Sequence, residues 1–263
     1  MNILVTGATD GIGRQTALEL GRLGHSVLVH GRSAAKADAT ATALRQEAPQ
    51  ARFTPVHADL GRLDDVRRLG SELGDAKLDV LLHNAGVFQK TREVTVDGFE
   101  VTFAVNHLAP FLLTHLLLPS LPKSGRVVLV SSVAHQRGKI DFEDLQSTRH
   151  FDGYGTYAAS KLANVLFCGE LARRLGPAPS VFALHPGVIG TKLLTSGFGV
   201  GGASLEEGAR TSVYAATDPS LAGTTDRYFS DGRPAKPSAA SQDPATQRRL
   251  YEKSAELVGI SPL

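Results

Sequence analysis

The chain has 263 residues, of which 42% are hydrophobic and 21% charged, a balance typical of a packed globular protein and not of a disordered one. The formal net charge is only +2, and no run of Lys and Arg with interleaved aromatic residues argues for a nucleic-acid partner. The single cysteine, Cys168, excludes an intramolecular disulfide, and the spacing of the Cys and His residues predicts no metal site.

The start of the chain and its apolar stretches bear on where the protein works. Residues 2–5 look like a short strand that meets a glycine turn at once, which leaves no room for a signal peptide. The longest apolar stretch, residues 111–118, is far shorter than the roughly 20 residues needed to cross a bilayer. We therefore expect a soluble, cytoplasmic protein without a membrane anchor.

Short, continuously apolar runs alternate with longer stretches of helical period along the whole chain, and such runs predict parallel strands buried on both faces. A last helix is predicted at 245–258, after a loop at 231–244 rich in Pro, Ser and Ala. The pattern predicts an α/β fold in a single domain over residues 1–263, namely a doubly wound (Rossmann) parallel sheet of about seven strands with helices on both faces. The predicted strands are 3–6, 26–30, 52–57, 78–83, 126–131, 181–185 and, more weakly, 227–229.

A glycine-rich turn follows the first strand and leads directly into a helical segment. Within it, Gly7 permits the tight turn, Gly11 lets the backbone approach a pyrophosphate, and Gly13 allows close helix packing. The amide groups at the helix N-terminus face the anion. The sequence therefore predicts a dinucleotide site here.

The end of the second strand distinguishes between the two nicotinamide dinucleotides, because an acidic residue there binds the free ribose hydroxyl groups. This chain has His30, Gly31, Arg32 and Ser33 instead. A guanidinium group in that place favours a ribose 2′-phosphate, so NADP(H) is expected over NAD(H), which is not excluded. The alternative is that Arg32 is a solvated charge at a helix start.

An ordered set of motifs resembles the short-chain dehydrogenase/reductase family, and within it the retinol dehydrogenase-like branch. The resemblance extends to residues 227–231 and so covers essentially the whole chain, although this branch's membrane-associated members have an N-terminal anchor that we do not expect here. The motifs are Thr6-Gly7-x-x-x-Gly11-x-Gly13, Asp59-Leu60, His83-Asn84-Ala85-Gly86, Asn106-His107-Leu108, Ser131-Ser132-Val133-Ala134-His135, Tyr157-Ala158-Ala159-Ser160-Lys161 and His185-Pro186-Gly187.

Tyr157 and Lys161 are four residues apart, so on a helix they share one face. Bringing a phenol pKa from about 10 to about 7 takes roughly 4 kcal/mol, which one cation near 4 Å supplies at an effective dielectric of about 20. The resemblance implies that Tyr157 exchanges a proton with the substrate oxygen and that Lys161 lowers the pKa of Tyr157 and binds the nicotinamide ribose. It also favours Ser132 over Ser131 as the serine that binds the reacting oxygen.

Asn106 lies in a helical stretch that contains Pro110, which has no amide hydrogen to return to the Asn106 carbonyl. We expect a local kink that frees this carbonyl to accept a water, which matches the family's proton relay through the lysine. The alternative is that Pro110 merely bends a core helix.

The remaining predicted cofactor contacts follow from the resemblance. Residues 84–86 pass close to the adenosine half, residues 186–188 fix the nicotinamide carboxamide, and Thr191 approaches phosphate. The segment 193–203 has no clear helical period and is expected to be either a mobile substrate lid or an ordinary surface loop. The full predicted set is Asn106, Ser132, Tyr157 and Lys161 for catalysis, and Gly7, Thr9, Gly11, Ile12, Gly13, Arg32, Ser33, Asp59, Leu60, Asn84, Ala85, Gly86, Tyr157, Lys161, Pro186, Gly187, Val188 and Thr191 for the cofactor.

The resulting hypothesis is an NADP(H)-dependent enzyme that interconverts a carbonyl, either an aldehyde or a ketone, and an alcohol. Its substrate would be a small apolar molecule, because we expect the walls of the pocket, and not a fixed charged side chain, to bind the substrate. The competing hypothesis is a regulatory protein that binds NADP(H) without turnover. A homo-oligomer is a further expectation, with the helices that carry Asn106 and Tyr157 as candidate contact faces.

Overall fold

The computed structural model describes residues 1–199 and 201–263. One sheet of eight strands organises them, in the order β3-β2-β1-β4-β5-β6-β7-β8. All neighbouring strands are parallel except β7 and β8. The strands are β1 (Asn2–Val5), β2 (Ser26–Gly31), β3 (Arg52–His57), β4 (Val80–His83), β5 (Arg126–Val130), β6 (Ser180–His185), β7 (Arg227–Ser230) and β8 (Arg233–Pro234).

The order in which the chain adds strands to the sheet reverses between β1 and β4, and a doubly wound fold opens a crevice at this point, at the carboxyl ends of its strands. The predicted fold class is therefore confirmed. The helices are α1 (Gly11–Arg22), α2 (Ala34–Glu47), α3 (Leu63–Leu73), α4 (Val101–Phe103), α5 (Ala109–Leu117), α6 (Gly153–Leu175), α7 (Lys192–Phe198), α8 (Leu205–Thr217) and α9 (Pro244–Val258), with a π-helical turn at Ala104–Leu108.

The seven predicted strands correspond to β1 through β7 within about two residues at either end, and β8 was not predicted. Two residues are too short for a hydrophobic pattern, so only the turn at residues 231–232 marked this hairpin. The predicted loop at 231–244 also contains a 3₁₀ helix, Ala239–Gln242. The segment 193–203 begins with the helix α7, and Val200 within it lies outside the described residues.

Two apolar layers cover the two faces of the sheet. One packs α3, α5, α6 and α9 against β4 to β7, and the other packs α1, α2 and α8 against the opposite face. Side-chain caps fix where several helices begin. Asp10 accepts a hydrogen bond from the amide of Gly11 at the start of α1, and Ser204 and Glu207 form a capping box at the start of α8.

The helical stretch Val101–Ser120 is longer and more apolar than the sequence analysis expected. Its mean hydropathy of 1.5 and its length of 20 residues would suffice for a membrane span by composition alone. In the structure, 72% of an 18-residue apolar part of this stretch is buried among the other elements, as in the core helix of a globular protein. It carries Asn106 past the carboxyl ends of the strands.

The two edges of the sheet share a chemical feature. The edge strand β3 contains Pro55, and the edge strand β8 ends at Pro234. Proline lacks an amide hydrogen, so it is compatible with an edge strand and not with a central one.

Candidate active site

A cavity of about 870 Å³ lies at the carboxyl ends of the parallel strands. Every predicted site residue lines it except Ser33 and Asn106. The lining members are Gly7, Thr9, Gly11, Ile12, Gly13, Arg32, Asp59, Leu60, Asn84, Ala85, Gly86, Ser132, Tyr157, Lys161, Pro186, Gly187, Val188 and Thr191.

The glycine turn has little room for side chains. Gly7 and Gly11 have φ angles of +64° and +53°, a region that favours glycine. A Cβ on Gly13 would lie 2.2 Å from the carbonyl oxygen of Gly7 and 2.3 Å from Nδ2 of Asn84. The bare backbone and the N-terminus of α1 together form a cradle for a phosphate group, so these residues fit a dinucleotide.

His30 supports this cradle from behind and was not predicted to do so. The amide of Gly7 donates to its Nδ1 at 3.1 Å, and its Nε2 lies 3.1 Å from the carbonyl of Ala58, to which it donates. One ring nitrogen accepts and the other donates, so the ring is neutral. Burial lowers the pKa of His30 to about 4, in agreement with this geometry.

The end of β2 matches the sequence expectation only in part. Arg32 is exposed and faces the cavity. Ser33, predicted as a cofactor contact, is also exposed, but it is the N-cap residue that precedes α2 and does not line the cavity.

Asn84 joins two strand ends beside the cradle. Besides lining the cavity, Asn84 forms structural hydrogen bonds. Its Nδ2 donates to the carbonyl of Thr6 at 2.9 Å, and its backbone amide donates to the Thr6 hydroxyl at 3.0 Å. The same hydroxyl accepts the amide of Ala85 at 3.1 Å. Thr6 therefore fixes the loop after β4 to the end of β1.

Tyr157, Ser132 and Lys161 lie close together in the lining of the cavity. Tyr157 is 7% exposed, lies edge-on to Phe88 at 5.9 Å, and forms a hydrogen bond with the Ser132 side chain. Lys161 is buried, its Nζ donates to the carbonyl of Val130 at 3.0 Å, and it lies 5.7 Å from the centre of the Tyr157 ring. A Cβ on Gly86 would lie 3.1 Å from that Nζ, so the glycine leaves space for the ammonium.

The predicted lowering of the Tyr157 pKa by Lys161 stays a prediction, and burial acts on the phenol in the opposite direction. Burial raises the pKa of Tyr157 to about 12, although the hydrogen bond with Ser132 opposes the rise. Burial also lowers the pKa of Lys161 to about 8. The physical reason is desolvation, which disfavours the phenolate and the ammonium alike. Tyr157 is thus a protonated phenol at neutral pH.

The two candidate serines after β5 have different environments. The Ser131 hydroxyl is buried and donates to the carbonyl of Lys161 at 2.7 Å, which ties β5 to α6. The Ser132 hydroxyl accepts the amide of Ala134 at 3.2 Å and bonds with Tyr157. Only the second hydroxyl is placed beside the phenol.

Asn106 is fully buried behind the cavity. Its Oδ1 accepts the amide of Val87 at 2.8 Å, and its Nδ2 donates to the carbonyl of Val87 and to the hydroxyl of Ser160, both at 3.0 Å. The backbone around it forms the π-helical turn, in which the amide of Ala109 bonds to the carbonyl of Ala104. The expected irregularity before Pro110 therefore takes the form of a widened turn.

The segment after β6 approaches the glycine turn from the opposite side. Gly187 has a φ of +100°, and a Cβ on Gly11 would lie 3.4 Å from Cγ2 of Thr191. Thr191 caps α7 by accepting the amide of Leu194, and the next residue, Lys192, forms an ion pair with Asp10 at 2.5 Å. This ion pair joins the start of α7 to the start of α1.

Apolar side chains gather at the mouth of the cavity. Among the described residues, few large apolar side chains are exposed, and most of those that are belong to the cavity lining. A concentration of exposed apolar groups around a cavity marks a binding surface for an apolar molecule. They are Val94, Val96, Val133, Tyr154 and Val188.

The fold and the cavity define a dinucleotide-binding α/β protein whose tyrosine, serine and lysine meet at one end of the site. A family model described as short chain dehydrogenase matches residues 1–198. Retinol dehydrogenase 14 of Mus musculus is 41% identical over 98% of this chain and 86% of its own length, and retinol dehydrogenase 13 of Homo sapiens is 39% identical over 98% and 84%.

Solved structures agree with these relatives. An uncharacterised protein from Mycobacterium paratuberculosis superposes with a TM-score of 0.85 at 34% identity and covers 100% of this chain and 94% of its own. An angucycline C-6 ketoreductase with bound NADP has a TM-score of 0.68 at 28% identity, over 88% and 93%. The chain belongs to the short-chain dehydrogenase family, as an oxidoreductase similar to the retinol dehydrogenases.

Proposed function

We propose that this protein is an NADP(H)-dependent reductase of apolar aldehydes or ketones that also oxidises the corresponding alcohols. The observation that carries the proposal is the hydrogen bond between the Tyr157 phenol and the Ser132 side chain, one helical turn from Lys161 and within the cavity that the glycine turn also lines. A carbonyl oxygen placed beside both hydroxyl groups would receive two hydrogen bonds where negative charge develops during reduction.

The cofactor assignment rests on the end of β2 and on the relatives. Arg32 faces the cavity, residues 30–33 contain no carboxylate, and a guanidinium group would hold a 2′-phosphate. An angucycline C-6 ketoreductase and a gluconate 5-dehydrogenase-like protein, both similar in fold, have NADP bound. When bound, NADPH supplies the hydride for the carbonyl carbon.

The protein's own groups handle the proton. The Tyr157 phenol, whose pKa is raised by burial to about 12, carries its proton at neutral pH, and it donates this proton as negative charge develops on the oxygen of a carbonyl substrate. With a pKa of about 8, Lys161 is mostly an ammonium at pH 7 and can stabilise the phenolate that remains. The phenolate then regains a proton through Lys161. A water at the widened turn around Asn106 would connect this lysine to solvent.

The experiment is a screen of NADPH oxidation with apolar aldehydes, ketones and quinones. Tyr157→Phe should lower kcat by about 10²- to 10⁴-fold, the range for a general acid, while NADPH binding measured by fluorescence stays unchanged. The matched control is Tyr214→Phe in α8, which lies outside the cavity and packs against Phe229 at 5.4 Å. Equal turnover by wild type and Tyr157→Phe would contradict the proposal and favour a binding protein without catalysis.

A further inference from the structure

His135 lies directly behind the proposed active-site serine. It belongs to the 3₁₀ helix Val133–Arg137, which begins immediately after Ser132, and its side chain is completely buried. It does not line the cavity. A buried polar ring in this place requires partners, because an unsatisfied nitrogen would cost about 1–3 kcal/mol.

The partners of His135 fix its protonation state. The amide of Ser238 donates to Nε2 at 3.0 Å, so Nε2 carries no hydrogen. Nδ1 therefore carries the hydrogen and donates it to the carbonyl of Ser132 at 2.6 Å. A doubly protonated ring would place an N–H group against the amide of Ser238. Burial also lowers the pKa of His135, so the geometry and the environment both favour the neutral ring.

Ser132 is held at both of its polar ends as a result. Its carbonyl accepts the Nδ1 hydrogen of His135 and also the backbone amide of His135 at 3.1 Å. Its hydroxyl accepts the amide of Ala134 at 3.2 Å. These bonds fix the backbone from which the hydroxyl reaches Tyr157. A rotation of the Ser132 peptide plane would move the hydroxyl away from the phenol.

His135 also connects Ser132 to a distant part of the chain. Ser238 is 103 residues away and caps the 3₁₀ helix Ala239–Gln242 by accepting the amide of Ser241 at 3.3 Å. The carbonyl of Ser241 accepts Nε2 of Gln247, which belongs to α9, at 2.7 Å. The Tyr228 ring packs on His135 with 5.1 Å between ring centres. His135 therefore links the Ser132 backbone to the segment that precedes α9.

We propose that His135 is a positioning residue for Ser132, which acts by donating from Nδ1 to the Ser132 carbonyl while Ser238 holds the ring in that orientation. The inference rests on the proposed function, since it assigns to His135 the geometry of a group that binds the substrate oxygen. His135 itself touches neither substrate nor cofactor. Its contribution should appear in kcat more than in the KM of either ligand.

Two substitutions separate the two nitrogen atoms of the ring. Asn places an amide nitrogen near the position of Nδ1, so His135→Asn keeps a donor for Ser132 and loses the acceptor for Ser238. Gln reaches the position of Nε2, so His135→Gln keeps the acceptor and loses the donor. Because an error of about 1 Å in a catalytic group can cost about 100-fold, we expect His135→Gln to lower kcat by about 10- to 100-fold. His135→Asn should stay within about threefold of wild type.

The same substitutions in a Ser132→Ala protein test whether the effect passes through the serine. There, His135→Gln should lower kcat no further, because the group that it displaces is gone. Equal losses of kcat for His135→Asn and His135→Gln, or a full additional loss in the Ser132→Ala protein, would overturn the proposal. The KM values for carbonyl and NADPH should change less than kcat in every case.

A measurement on the wild-type protein tests the proposal without activity. Histidine ¹⁵N resonances distinguish the two neutral ring forms and the charged form. We expect the His135 ring to carry its hydrogen on Nδ1 at pH 6, and a charged ring or an Nε2 hydrogen at that pH would overturn the proposal even if the variants fail to fold. If Ser132→Ala keeps full turnover while the ring has the expected form, it is the proposed function of Ser132 that fails.

Discussion

The cofactor end and the catalytic end of the cavity are each supported by one buried, neutral histidine, but the two rings use opposite nitrogen atoms. His30 accepts at Nδ1 from Gly7 and donates from Nε2 to Ala58. His135 accepts at Nε2 from Ser238 and donates from Nδ1 to Ser132. In both places a neutral imidazole joins a donor to an acceptor, a connection that neither a lysine nor a carboxylate can make.

The difference lies in what each ring connects. The partners of His30 lie at the ends of β1 and β3, and β2 carries the ring between those two strands, so the order of strands in the sheet already brings the three together. His135 reaches a loop 103 residues further along the chain. The sheet therefore brings the partners of His30 together, whereas His135 connects Ser132 to the segment before α9.

Acidification tests the buried histidines, and it should cause the largest change in the free energy of unfolding among these tests. Burial lowers the pKa values of His30 and His107 to about 4 and that of His83 to about 3. Below pH 6.5 these histidines bind protons in the unfolded chain but stay neutral in the folded chain. The free energy of unfolding therefore falls as the pH falls. Between pH 7.5 and 5 we expect a loss of about 2 kcal/mol for each of these three histidines, measured from urea unfolding midpoints.

His30→Asn sharpens this test at the cofactor end. The Asn side-chain oxygen can still accept the amide of Gly7, but it does not titrate in this pH range. The variant should lose about 2 kcal/mol less than wild type between pH 7.5 and 5. An identical pH dependence in both proteins would show that His30 does not stay neutral in the folded chain.

Gly13→Ala should break the cofactor end while the catalytic end stays intact. The added Cβ would meet backbone atoms of Gly7 at 2.2 Å, and these cannot move without opening the turn. We expect a loss of about 1–3 kcal/mol in stability and a loss of measurable NADPH binding by fluorescence titration. Gly201→Ala is the control, because a Cβ there would meet open space. Retained affinity in the Gly13 variant would contradict the proposed phosphate cradle.

Arg32→Ala tests the choice of cofactor. A lost hydrogen bond to a charged group costs about 1.5–3 kcal/mol, so the Kd of NADPH should rise about 10- to 100-fold. The Kd of NADH should change little, because NADH has no 2′-phosphate. A similar loss for both cofactors would instead make Arg32 a general electrostatic or structural residue.

Lys192→Met and Asp10→Asn should cause the smallest change among these variants, a change in the rate of NADPH release. Their ion pair is largely exposed, and exposed pairs contribute less than about 1 kcal/mol. Either variant should show a small increase in the rate of NADPH release in stopped-flow experiments, which disappears at high salt because the pair is screened. An increase that persists at high salt would show that Lys192 acts on the cofactor in another way.

The sequence was most informative where the structure depends on local pattern. Continuous apolar runs predicted β1 to β7, and the glycine spacing predicted the phosphate cradle, because both are properties of neighbouring residues. The cavity brings Ser132, Tyr157 and Lys161 together as the family resemblance implied. Only Ser33 and Asn106 among the predicted site residues fall outside its lining.

The sequence was least informative where a contact spans the chain or where burial sets an energy. Nothing in the pattern of residues pairs His135 with Ser238. The pKa of Tyr157 depends on how far the ring is desolvated, and helical spacing from Lys161 does not report that. The role of His30 was hidden because its motif position suggested only the end of a strand.

The prolines at the two margins of the sheet have a consequence for self-association. Pro55 and Pro234 each remove a backbone donor from the strand that a second copy of the chain would have to join. Ribbon-like growth by strand addition is therefore disfavoured on both sides. Assembly through the helices that carry Asn106 and Tyr157 stays a prediction, and it would leave the hydrogen-bonding pattern of every strand unchanged.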